Sequence, residues 1–121
     1  LCAAEVVGTF IAMYVILESV CNPRTKAGNV APIAIGSAFG LLLTVLSPFS
    51  SGSFNPARSL GPAAVSGQSD DLWIWIFGPI VGALLAVPFH LVSVAEMPAA
   101  LKDQPAADEA KPASPHKTHH V

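Results

Sequence analysis

Apolar residues in this chain run in stretches whose length suits a membrane, separated by short polar segments. Leu1 to Val20 is apolar but for a few residues, Glu5 and Glu18 the only charged ones. A second run extends from Val30 to about Leu46, and a third from Leu72 to Val94, the latter containing Gly78, Pro79, Gly82 and Pro88. Crossing about 30 Å of hydrocarbon takes about 20 helical residues, with about 17 still sufficient. The pattern therefore predicts three membrane helices, over about 1–20, 30–46 and 72–94. Internal Gly and Pro do not argue against the third. Membrane helices tolerate them, because neighbouring helices and local adjustments re-satisfy the freed backbone groups.

The connections differ in kind. Cys21 to Asn29 carries Arg24, Lys26 and the Asn22-Pro23 pair and reads as a short polar loop. Ser47 to Asp71 is longer, opening on Ser and Pro and closing on Ser66-Gly67-Gln68-Ser69. Inside it lies one helix-compatible run, introduced by Asn55-Pro56. Asn is a favoured N-cap and Pro is favoured at the first helical position. A helix from Pro56 to Val65 would be roughly 15 Å long at about 1.5 Å per residue, which is half a membrane. Residues 97–121 turn to Ala, Pro, Lys, Asp and Glu and read as a disordered tail.

Composition agrees with lipid as the solvent: 52% of the 121 residues are hydrophobic and 12% charged, with a mean hydropathy of +0.57. Between Val30 and Leu101 the one Lys or Arg is Arg58, and the acids are Asp70, Asp71 and Glu96. A net charge of −2 and the lack of a basic stripe exclude a nucleic-acid partner. Arg24 and Lys26 in the first loop, and Lys102, Lys111 and Lys117 in the tail, fall on one side of a three-span chain. The positive-inside rule makes that side cytosolic, so the Ser47–Asp71 loop faces away from the cytosol. Cys2 and Cys21 stand about 28 Å apart along a helix, too far for a disulfide. They read as small packing residues. Leu1 begins directly in an apolar run without a basic region or cleavage pattern, so the expectation is a piece of a longer chain and not a signal peptide.

The candidate chemistry lies in Ser51-Gly52-Ser53-Phe54-Asn55-Pro56-Ala57-Arg58-Ser59-Leu60-Gly61-Pro62. A half-helix entering from one face points its positive dipole end, and the Asn55 amide, at the bilayer midplane. Irregular backbone at that depth exists only where protein buries it or where it lines a water-filled cavity. The backbone of Ser51, Ser53 and Phe54 is thus a candidate pore lining. Arg58 is the one charge on this segment, and ionisable groups inside membrane proteins are functional by default. No nucleophile–base pair, phosphate loop or metal cluster occurs in the expected ordered part, so no enzyme, cofactor or metal is expected. Imidazoles as close as His116, His119 and His120 bind metals elsewhere, but a flexible tail offers nothing to orient them. Ser114 is a candidate phosphorylation site.

With these residues the chain resembles the aquaporin, or major intrinsic protein, family. Asn55-Pro56-Ala57 with Arg58-Ser59 is similar to the second signature loop of that family, and Gly61-Pro62-Ala63 continues the likeness. Glu5, Ala31-Pro32-Ile33-Ala34-Ile35-Gly36, Trp73 and Gly78-Pro79 extend it over residues 1–96. The resemblance implies an all-α membrane fold in which this chain forms the C-terminal inverted repeat, three membrane helices plus one re-entrant half-helix over 47–66. The partner half would lie elsewhere, and the family usually assembles as tetramers.

The resemblance also implies roles. Asn55, Pro56 and Ala57 would form the pore motif, with the Asn55 amide donating to water and opposing proton passage. Arg58 would form a selectivity constriction with Leu43 and Gly52, and Glu5 would accept hydrogen bonds from the re-entrant loop. Leu43 stands where strictly water-selective members carry His, so urea, ammonia or another small neutral solute joins water as an expected permeant. Ser59, Ala63 and Trp75 fit water channels better than glycerol channels. Pro48 to Ser53 and Ala64 to Gly67 look most like plant vacuolar-membrane (tonoplast) members, as does the Asn22-Pro23-Arg24 turn. Phe54, Leu60, Ile76 and the tail depart from them. The implied partners are water, small solutes, the bilayer and further subunits in a homo- or hetero-tetramer. A competing expectation is a truncated, non-conducting paralogue that modulates intact subunits. Glu18 reads as an interfacial charge.

Overall fold

The computed structural model describes residues 1–25 and 27–96. Expectations for Lys26 and for residues 97–121, including the tail histidines, Ser114 and the tail lysines, lie outside the described residues. The described residues form four α-helices: α1 (Cys2–Val20), α2 (Ala31–Ser50), α3 (Pro56–Ser66) and α4 (Leu72–Ala95). A short 3₁₀ turn, Gly28–Val30, leads into α2. By length and composition, α1, α4 and α2 with its 3₁₀ turn are apolar enough to cross a membrane.

One boundary differs from the sequence expectation. Helix α2 continues past Leu46 to Ser50, with Pro48 inside its last turns. Pro48 lacks an N–H for the Thr44 carbonyl, but the ladder resumes at once, the Ser51 N–H bonding the Ser47 carbonyl at 3.0 Å. In water such a proline would end the helix. In a membrane span, one missing bond is a smaller loss than unwinding a turn whose groups then lack water. Ser51, in the left-handed region at φ 61°, ends the helix instead.

The principal packing is between α1 and α4, with α2 lying against α1 and α3 against α4. On α4 the buried positions Ile74, Gly78, Gly82 and Ala86 recur every fourth residue, the last three of them small. A Cβ at Gly82 would lie 2.3 Å from the Val6 carbonyl oxygen, so the two backbones are in direct contact there. Small residues that let backbones approach drive helix association in lipid, where apolar burial alone gives little. Phe10 reinforces the seam, stacking on Tyr14 and meeting Phe89 edge to face at 5.3 Å between centroids. Most of α2 faces outward: Ile33, Leu41, Val45 and Phe49 are each at least 60% exposed.

Candidate functional site

The loop between α2 and α3 makes its turns at a cost that its contacts must offset. Ser51, Gly52 and Phe54 all have positive φ, 61°, 60° and 48°. For the two non-glycine residues that conformation costs about 1–3 kcal/mol each and persists only where the surroundings over-determine it. Glu5 supplies the main restraint. Its side chain is fully buried, and its two carboxylate oxygens accept from the backbone N–H groups of Ser53 at 3.0 Å and Phe54 at 2.8 Å. One buried anion thereby satisfies two loop donors and is itself satisfied by them.

Three further side chains complete the loop. Trp75 Nε1 donates to the Ser50 carbonyl at 3.2 Å, tying the loop entrance to α4. Ser53 Oγ donates to the Asn55 carbonyl at 2.9 Å and also meets Ser59 Oγ. The Phe54 ring is seated against α1 at Gly8, where a Cβ would fall 2.2 Å from ring atom Cε1. Gly8 was not among the residues singled out from the sequence. The available signal was its register, since residues three apart share a helix face and Gly8 lies three after Glu5.

Asn55 caps α3 in extended conformation, its Oδ1 accepting from the Ala57 N–H at 3.0 Å, with Pro56 in the first turn. Its amide nitrogen bonds no acceptor among the described residues, and the side chain is exposed. Arg58 Nη1 donates to the Gly52 carbonyl at 2.6 Å. Gly52 in turn lies against α2: a Cβ there would be 3.0 Å from Leu43 Cδ2. Leu43, Gly52 and Arg58 therefore form one contiguous group. Asn55 and Arg58 open onto different recesses. Arg58 lines an open one of about 570 Å³ with Ser51, Ser53, Ser59, Asp71 and Trp75. Asn55 lines another, about 300 Å³, with Thr9, Met13, Phe54 and Pro79. Among the described residues no donor reaches the carbonyls of Ser51, Ser53 or Phe54, and no cluster of three metal-ligating side chains occurs.

The sequence profile of the family described as Major intrinsic protein matches residues 1–90. The chain belongs to the major intrinsic protein family. It is 46% identical over 83 residues to the probable aquaporin TIP2-2 and to aquaporin TIP2-3 of Arabidopsis thaliana, a match covering 68% of this chain and 33% of each relative. It is 39% identical over 83 residues to the probable aquaporin NIP7-1 of the same plant, covering 69% of this chain and 30% of that relative. The chain thus matches about a third of the length of these relatives. No solved structure matches it. This major intrinsic protein is an all-helical integral membrane protein of aquaporin-like fold, as three apolar helices and the family match together require.

At the other end of α1, Glu18 is held between two helix ends. Its side chain is only 14% exposed and faces His90 of α4, with Nδ1 to Oε1 at 3.0 Å. Asn22, Thr25 and Ser93 donate to the same carboxylate, and Asn22 Nδ2 also reaches Ser93 Oγ at 3.1 Å. Cys2 is partly exposed and Cys21 exposed, and both are free.

Proposed function

We propose that this chain forms part of a passive membrane channel for water, open also to small neutral solutes such as urea or ammonia and closed to protons and ions. The observation that carries the reading is the loop held by Glu5. It leaves one row of unpaired carbonyls, Ser51, Ser53 and Phe54, beside the donor end of α3. At 11 residues, α3 is about 16 Å long at about 1.5 Å per residue, close to half the hydrocarbon thickness. Entering from the non-cytosolic face, it sets its positive end and the Asn55 amide near the midplane.

Water passing this point accepts from the Asn55 Nδ2 hydrogens, so its own hydrogens point away along the file. That orientation and the positive potential of the helix end oppose proton transfer and cation entry. Arg58, held by the Gly52 carbonyl, adds a fixed positive charge at the constriction with Leu43 and Gly52. The exposed outer faces of α2 and α4 meet lipid, the rest of the channel and neighbouring subunits of a tetramer. The TIP-named relatives favour the vacuolar membrane.

The test is stopped-flow light scattering on proteoliposomes holding the full-length protein that carries this sequence. The expected result is osmotic water flow above that of empty liposomes, with Arg58→Val changing selectivity and Asn55→Asp admitting cations. Flux equal to that of empty liposomes from folded protein, for water and for every neutral solute tried, overturns the channel reading and leaves a non-conducting, modulating subunit in its place.

A further inference from the structure

Ser47 stands one helical turn beyond Leu43 on the same face of α2, and both side chains reach the Gly52 turn. A Cβ at Gly52 would lie 3.0 Å from Leu43 Cδ2 and 3.3 Å from Ser47 Oγ. Gly52 has φ +60°, so it is glycine by conformation as well as by space. The Phe54 ring is the next neighbour of that position, its Cε2 at 3.6 Å.

The Ser47 side chain is exposed, and its hydroxyl donates to the Leu43 carbonyl one turn back. A hydroxyl has one hydrogen and two acceptor lone pairs. With its hydrogen turned into the helix, Ser47 presents only acceptor capacity outward, and among the described residues no donor occupies it. On the other flank of Gly52, Arg58 spends one N–H on the Gly52 carbonyl. Its guanidinium has no acceptor capacity and four further N–H donors. The turn is therefore flanked by an acceptor on α2 and a donor on α3, with Leu43 supplying an apolar wall between turns.

We propose that Ser47 is a further specificity-determining residue of the pore, an acceptor-only hydroxyl that pairs with the donor Arg58 to admit neutral solutes carrying both N–H donors and a carbonyl acceptor. Urea is the simplest such solute: its carbonyl accepts from Arg58 while an N–H donates to Ser47 Oγ. Water crosses without needing both contacts at once, so it is less dependent on Ser47. The inference rests on the channel reading and deepens it.

The experiment compares urea and water permeability in proteoliposomes of the full-length protein with Ser47→Ala, Ser47→Thr and Thr44→Ala. Thr44 makes the same backward bond, to the Gly40 carbonyl at 2.8 Å, so its variant controls for loss of that bond alone. Ser47→Ala is expected to lower the urea-to-water ratio roughly fivefold, the effect of one ordinary hydrogen bond. Ser47→Thr restores the ratio and Thr44→Ala leaves it unchanged. An unaltered ratio in Ser47→Ala, with water flow intact, overturns the role of Ser47 and leaves the channel standing. An equal change in Thr44→Ala reduces Ser47 to a helix-shaping residue and also overturns it. Parent protein that conducts neither water nor urea removes the channel reading and this inference with it.

Discussion

Two glutamates on one helix, about 20 Å apart at about 1.5 Å per residue, meet opposite fates. Glu5 is fully buried, and its oxygens accept from two backbone N–H groups of a loop far along the chain. Glu18 is mostly buried, and its partners are chiefly side chains: His90, Asn22, Thr25 and Ser93. The difference lies in what each partner is able to do on its own. Side chains at the rim have alternatives, including water and each other. The Ser53 and Phe54 N–H groups have none, because the turn that aims them inward also removes them from helix bonding. A carboxylate held by backbone thus fixes the course of the chain, while one held by side chains fastens two helix ends.

The most severe way to break this contrast is Glu5→Gln. The amide keeps the shape but offers one acceptor where two are needed and turns its NH₂ toward a backbone donor. We expect a loss of about 2–4 kcal/mol, from forfeited charge-assisted bonds and an unsatisfied buried N–H, together with loss of conduction. Thermal unfolding in detergent measures the first and proteoliposome flux the second. A variant of native stability would show that the loop holds itself.

Gly8→Ala tests the same loop from its apolar side. Its Cβ would fall 2.2 Å from the Phe54 ring and 2.9 Å from Leu46 Cδ1, an overpacking that costs about 1–3 kcal/mol. Pairing it with Phe54→Ala is expected to cost less than the sum of the single changes, by about 1 kcal/mol, since the two residues share one space. Additive losses would mean that the ring does not depend on the Gly8 notch.

The smallest effect is expected at the rim. Glu18→Gln retains an acceptor for Asn22 or Thr25 and gains a donor for His90, so a loss below about 1 kcal/mol is anticipated. If unfolding shows it as damaging as Glu5→Gln, the distinction between backbone-held and side-chain-held carboxylates fails for this helix.

How much of this was readable in advance varies by residue. Asn55-Pro56 announced the start of α3 because capping is a local matter, settled within four residues. The end of α2 was placed too early, before Pro48, since proline costs a helix one bond and a clash in any solvent, whereas in a span the unwound turn would cost more. Glu18 read as interfacial from its place at a helix end, and that place says nothing of its partner. His90, its partner, lies on α4 and enters only when the helices dock. Gly8 passed unnoticed for the same reason: a notch is visible only with the ring that fills it.

By itself, the sequence determined the three apolar spans, the short capped helix and the all-helical membrane class, because hydropathy, helical period and capping act between near neighbours along the chain. Only the tertiary structure decided that Glu5 would hold the loop, that Gly52 would lie between Leu43 and Arg58, and that Glu18 would face His90. The two glutamate pairings join residues 48 or more apart in the chain, the Gly52 group depends on how the loop folds back on α2, and the meeting of Glu18 with His90 follows from how closely α4 approaches α1 through Gly82 and Ala86, a matter of packing that no local pattern encodes.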